Sequence, residues 1–202
     1  EDTVKVSRAP KMPLYNGVTV GVNFFDGILQ MAGQSYANYF VSGAVNMHNW
    51  FFPTVEVGLG FADHKPKGKN YKYKTSPTLF AKVGVDYNFL YNSNPAYKAL
   101  LGVRFGYSSF KYDITDISIP NDYWGSGSQP VEMAQQKASA LWGEVVAGLQ
   151  VHIYRGLSLG WSLRYKFRMH VSDGSSSQPW FLPGFGARNV PFSATFTVFY
   201  DI

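Results

Sequence analysis

Apolar and polar residues alternate along most of this chain with a period of two. In LSLGWSLRYKFRMHV (157–171), Leu157, Leu159, Trp161, Leu163, Tyr165, Phe167 and Met169 form one set. Ser158, Gly160, Ser162, Arg164, Lys166, Arg168 and His170 form the other. Such a period predicts a β-strand with one apolar and one polar face. Seven further segments repeat it: GVTVGVNFF, ANYFVSGAVNMH, TVEVGLGFA, TLFAKVGVDYNF, ALLGVRFGYSSF, ALWGEVVAGLQVHI and PFSATFTVFYDI. Eight alternating segments separated by turn residues predict an all-β chain, and no helix of consequence is expected.

The connections alternate in length. Short turns follow the second, fourth and sixth segments (NWFFP, YNSNPAY, YRG). Long stretches follow the others, near residues 26–36, 64–76, 113–137 and 172–190. An up-and-down meander places all short turns at one end and all long loops at the other, as in outer-membrane barrels. The domain expectation is a barrel over residues 14–202, preceded by an N-terminal periplasmic segment over 1–13. That segment reads as the mature end left after a signal peptide is removed.

The polar set decides which face is outside. It is rich in Gly58, Gly60, Gly84, Gly102, Gly106, Gly148 and Gly160, with Ser, Thr and Asn between them. A closed sheet of about eight strands has an interior just wide enough for side chains to fill. Small residues fit there, and the bulky aromatic and aliphatic set fits the convex side. Several segments reach the ~9–11 residues that a tilted membrane-spanning strand needs. Hydrocarbon requires closure, because a free sheet edge leaves amides unpaired. Aromatics near the short turns, Trp50, Phe51, Phe52, Phe89, Tyr91, Tyr97, Tyr154 and Tyr200, fit an interfacial girdle. The opposite choice, a soluble ligand-binding barrel with the apolar face inward, would overpack its cavity.

Composition agrees. Charged residues are 15% and aromatics 17%, against about 25% charged in typical soluble domains. Cysteine is absent, which excludes disulfides, thiolate metal sites and cysteine nucleophiles. The net charge of +5 is not gathered into one stripe, so nucleic acid is not expected as a partner.

On these features the chain resembles the small eight-stranded outer-membrane barrels, such as the OmpA transmembrane domain and its OmpX-type relatives. Its aromatic richness and long loops are also similar to envelope proteins of the Bacteroidetes. The C-terminal FSATFTVFYDI resembles the last strand read by the barrel-assembly machinery, with Ile202 in place of the usual Phe. The resemblance implies a single eight-stranded antiparallel up-and-down transmembrane β-barrel in the outer membrane of a Gram-negative cell.

The candidate chemistry is a set of charges on the inward face: Glu56, Lys82, Asp86, Arg104, Glu144, Arg164, Lys166 and Arg168. The YRG turn brings Glu144 opposite Lys166 or Arg168, and the 90–97 turn brings Asp86 near Arg104. Buried charges must pair, so these residues are expected to plug the lumen rather than line an ion path. Lys65, Lys67, Lys69, Lys72 and Lys74 in DHKPKGKNYKYK are a candidate lipopolysaccharide contact. His48, His64, His152 and His170 show no zinc-like spacing. Asp113, Asp116 and Asp122 lack the spacing of a calcium loop. His170, Ser172 and Asp173 suggest a triad, but strand neighbours point to opposite faces.

The expected function is a monomeric, non-enzymatic barrel with a filled lumen and no cofactor. Its role is structural, adhesive or partner-binding through its loops, toward outer-membrane lipid, lipopolysaccharide, or an extracellular protein or glycan. A lipid A deacylase type of lipid-modifying enzyme is the alternative from another class, and a soluble ligand-binding β-barrel is the third reading.

Overall fold

The computed structural model describes residues 13–66, 71–118, 130–173 and 177–202. Eight antiparallel strands close into a barrel. They are β1 (Tyr15–Asn23), β2 (Tyr36–Met47), β3 (Phe51–His64), β4 (Lys72–Asn88), β5 (Tyr97–Ser118), β6 (Pro130–Tyr154), β7 (Leu157–Asp173) and β10 (Phe192–Asp201). Each pairs with its chain neighbour, and β1 closes the ring on β10. The helix α1 (Phe25–Met31) and the two-residue strands β8 (Phe181–Leu182) and β9 (Gly186–Ala187) lie in the connections.

The alternation maps onto the barrel wall as expected. Thr54, Glu56, Lys82, Arg104, Glu144 and Arg164 are buried inside, while Val55, Val83, Phe105, Leu149 and Trp161 are exposed outside. The turns suit right-handed strand twist: Arg155 and Gly156 take φ of 41° and 83°, as a tight hairpin demands. Both ends of the described chain lie at the short-turn end. The carbonyl of Leu14 accepts from the amide of His48, and that of Gly156 from Asp201.

Several strands run further than the alternation indicates. Within the stretches expected as loops over 64–76 and 113–137, β4 already starts at Lys72, β5 runs on to Ser118 and β6 starts at Pro130, with β5 spanning 22 residues and β6 25. The ladder continues through polar pairs such as Lys111–Lys137 and Tyr112–Gln136. In β4 the inward parity switches between Thr75 and Phe80, where the register against β5 shifts. Such a bulge re-aims side chains without breaking the strand.

The largest departure is the 172–190 stretch, expected as a loop beyond the barrel. Residues 181–187 instead fold into its mouth as the β8–β9 hairpin, and Phe181, Leu182 and Phe185 are buried. They pack against Phe40, Phe80, Phe110, Tyr112 and Trp142 on the inner wall. The upper barrel therefore holds an aromatic core where small residues were expected. Small residues still matter within it: a Cβ on Gly106 would lie 2.7 Å from Trp142 Nε1. Replacing Gly106 with Val is expected to cost about 1–3 kcal/mol by overpacking, read as a lower urea midpoint for unfolding in detergent.

Phe52 also turns inward, against its expected place in the girdle. It is 3% exposed, with the Lys98 ammonium 5.1 Å from its ring. Its even position places it beside Thr54 and Glu56. Trp50, Phe51, Tyr87, Phe89 and Tyr91 do cluster outside near the short turns.

Candidate functional site

The inward charges converge from five adjacent strands, β3 to β7, into one layer across the lumen. Glu56 is the hub. Arg164 donates to it through Nη1 at 2.8 Å and Nη2 at 2.9 Å, and Arg104 Nε donates at 3.3 Å. The Lys82 ammonium lies 3.8 Å away. Glu144 is the second acceptor. It takes Lys82 Nζ at 2.8 Å, Trp142 Nε1 at 2.8 Å and Arg164 Nη1 at 3.1 Å. Arg104 holds Asp86 with a two-pronged contact at 2.8 and 2.6 Å, the geometry a planar guanidinium favours.

Aromatic faces complete this packing. Arg164 and Lys82 lie over the ring of Phe40 at 5.0 and 5.5 Å, and Lys82 over Phe80 at 5.4 Å. Such contacts favour a cation held away from water. Below the layer the remaining lumen cavity is about 70 Å³. Above it, a polar cavity of about 160 Å³ is bounded by Lys82, Arg164, Lys166 and Asp26. Asp26 sits on α1 and accepts from the Asn38 backbone at 2.9 Å and side chain at 3.4 Å. Burial pushes its carboxyl above the ordinary value, opposed by the Asn38 hydrogen bonds and by nearby Lys166 and Lys82.

The expected partners meet with two adjustments. Glu144 is register-paired with Lys166, but its ion pairs go to Lys82 and Arg164. Lys166 donates instead to the backbone carbonyl of Phe185 in the hairpin, and its ammonium lies 5.1 Å from the Phe185 ring. Arg168 is not in the network at all. It is exposed at the rim. Pairing of β10 with β7 ends at Phe192–Tyr165, so at the height of Arg168 β7 has no paired strand on that side. A bulge between Leu141 and Trp142 further shifts the register at this height.

Of the candidate lipopolysaccharide lysines, Lys67 and Lys69 lie outside the described residues. Lys65 and Lys74 are exposed, and Lys72 pairs with Asp63 at 3.1 Å. His170 and Ser172 are both exposed on β7 with no hydrogen bond to each other among the described residues; the side chain of Asp173 lies outside that set. Among the described residues, no group of His, Asp or Glu side chains is placed to hold a metal ion.

The model of a family described as a domain of unknown function, DUF6048, matches residues 1–202, the whole chain. The chain belongs to the DUF6048 family. No curated protein matches it in sequence. Among solved structures, the DUF6048 chain is similar to the N-terminal β-barrel domain of OprF from Pseudomonas aeruginosa. The two are 10% identical, the match covers 93% of this chain and 98% of that one, and the TM-score is 0.47.

Sequence reasoning missed three contributors in the DUF6048 barrel: Phe40, Phe80 and Trp142. Each shares parity with a lumen residue on its own strand, Ser42, Lys82 and Glu144. That parity was the available signal. A size argument for small interiors hid it, because it assumed a uniform lumen. At the short-turn end, Asp201 accepts from the Thr19 hydroxyl and lies 3.9 Å from the Lys98 ammonium. That pairing depends on ring closure and is not visible along the chain.

Proposed function

We propose that this chain is an outer-membrane barrel with a filled, non-conducting lumen and a non-enzymatic role. It serves as a structural, adhesive or partner-binding platform through its outer rim and loops. The observation that carries this reading is the inversion of the barrel: a charged layer is buried inside while apolar side chains stand exposed around the wall. Val83, for example, is 54% exposed and Phe105 52%, whereas Glu56 and Glu144 are 1% exposed. In water such a surface would be an aggregation liability. On β3 the apolar outward set runs from Phe51 to Phe61, a length that fits the ~9–11 residues of a tilted spanning strand. Aromatics at the short-turn end suit the membrane interface. Lys65 and Lys74 would face anionic head groups from the loop side, while Lys72 is engaged with Asp63.

The test is solubility and migration. The folded protein is expected to require detergent and to shift on an electrophoretic gel after boiling. Val83→Arg is expected to lower stability in lipid by about 2–4 kcal/mol, as for cations near the midplane of a barrel's lipid face. A chain monodisperse in plain buffer, with Val83→Arg neutral, would mean that water meets this face.

A further inference from the structure

Where β10 leaves β7, the wall of the barrel opens. Pairing with β10 stops at Phe192–Tyr165, while β7 continues to Asp173 held only by β6. The gap is bounded on its other side by the segment from Phe185 to Pro191, and encloses an open pocket of about 700 Å³. Its cations are Lys166, Arg168 and Arg188, with His170 beside them, and among the described residues no carboxylate lines it. Neither Arg168 nor Arg188 forms an ion pair with any described residue. Arg188 Nη1 is buried with no hydrogen-bond partner. A buried guanidinium nitrogen without an acceptor is costly, so this atom calls for one.

Part of the pocket's lining is apolar and exposed: Tyr165, Phe167 and Met169 are 47%, 43% and 53% exposed. On the membrane reading above, on which this inference rests, those side chains dip into the outer leaflet. The arginines then stand at head-group height. A guanidinium fork matches phosphate oxygens better than a point charge does. Exposed aromatic side chains, arginines without an ion pair to any described residue and the lack of a described carboxylate together fit a ligand with an apolar end and an anionic head.

We propose that this rim pocket binds the phosphate-bearing head group of an outer-leaflet lipid, with Arg168 and Arg188 as the phosphate donors. Arg168, expected in the lumen network, thereby has a different task at the rim.

The test uses the whole chain, folded in detergent, with binding of lipid A followed by native mass spectrometry. Arg168→Gln with Arg188→Gln is expected to weaken binding about tenfold or more, the loss of charge-assisted hydrogen bonds of ordinary strength. Dephosphorylated lipid A should bind the unsubstituted protein as weakly. Lys111→Gln with Lys137→Gln, another exposed cationic pair, should bind lipid A undiminished. Arg168→Gln alone serves if the double variant loses its heat-modifiable band. Equal binding by the arginine variants, or by dephosphorylated lipid, overturns the proposal. Displacement of lipid A by equimolar inorganic phosphate overturns the lipid assignment in favour of a soluble phosphate. A chain soluble without detergent would be seen before any lipid is added, and would remove the membrane reading itself.

Discussion

Glu56→Gln destabilises the barrel by about 3–5 kcal/mol, the cost of removing one partner from a buried ion-pair network. The substitution keeps the shape and removes the charge. Arg164, Arg104 and Lys82 then share only Asp86 and Glu144, and the new amide presents N–H groups toward cations that have no use for them. Glu56 is 1% exposed, so water does not screen the loss. The measurement is the urea midpoint of the folded band in detergent micelles. Glu56→Leu combined with Arg164→Met should recover most of the loss, because replacing both partners of a buried pair by apolar volume is often neutral. After the double change, Glu144 keeps Lys82 and Asp86 keeps Arg104. A loss under about 1 kcal/mol for Glu56→Gln would place the pair in the range of solvated surface bridges and mean a water-filled lumen.

Phe185→Ala costs about 3–5 kcal/mol, the range for a large aromatic removed from a packed core. By its place in the chain, Phe185 belongs to a connection, where substitutions usually change stability by less than about 0.5 kcal/mol. Its surroundings say otherwise. It is 1% exposed, and its ring meets Trp142 edge-on at 6.2 Å and 88°. Its carbonyl receives the Lys166 ammonium, an interaction the substitution leaves available. The same urea series checks it, with exposed Asn189→Ala as the neutral comparison. A neutral Phe185→Ala would put the hairpin outside the barrel mouth.

Much of the wall could be read along the chain. Strand count, up-and-down order and the short-turn end all followed from a period of two and from loop lengths. So did the membership of Glu56, Lys82, Asp86, Arg104, Glu144, Arg164 and Lys166 on the inner face. Alternation persists because a closed sheet sorts every strand into two unlike environments. The exceptions have local causes. The parity switch in β4 between Thr75 and Phe80 has one residue signature that the alternation alone does not show: Pro77 lies within it, and a proline, which cannot donate to the ladder, sits inside a sheet at bulges. Arg168 keeps inward parity, yet it lies above the level at which β10 ends.

The sidedness and charge content of the barrel wall are properties of the chain's own pattern, because they arise from residues two apart on one strand; closure joins β1 to β10, as at Thr19 and Asp201. Which charges meet is different. Glu56 and Arg164 are 108 residues apart, and their contact depends on barrel curvature and side-chain reach. The inward fold of 181–187 also belongs to the assembled barrel. FLPGFGA reads as a loop until the inner faces of Phe40, Phe80 and Trp142 offer it an apolar surface to cover, and burial of that surface outweighs the cost of ordering the hairpin.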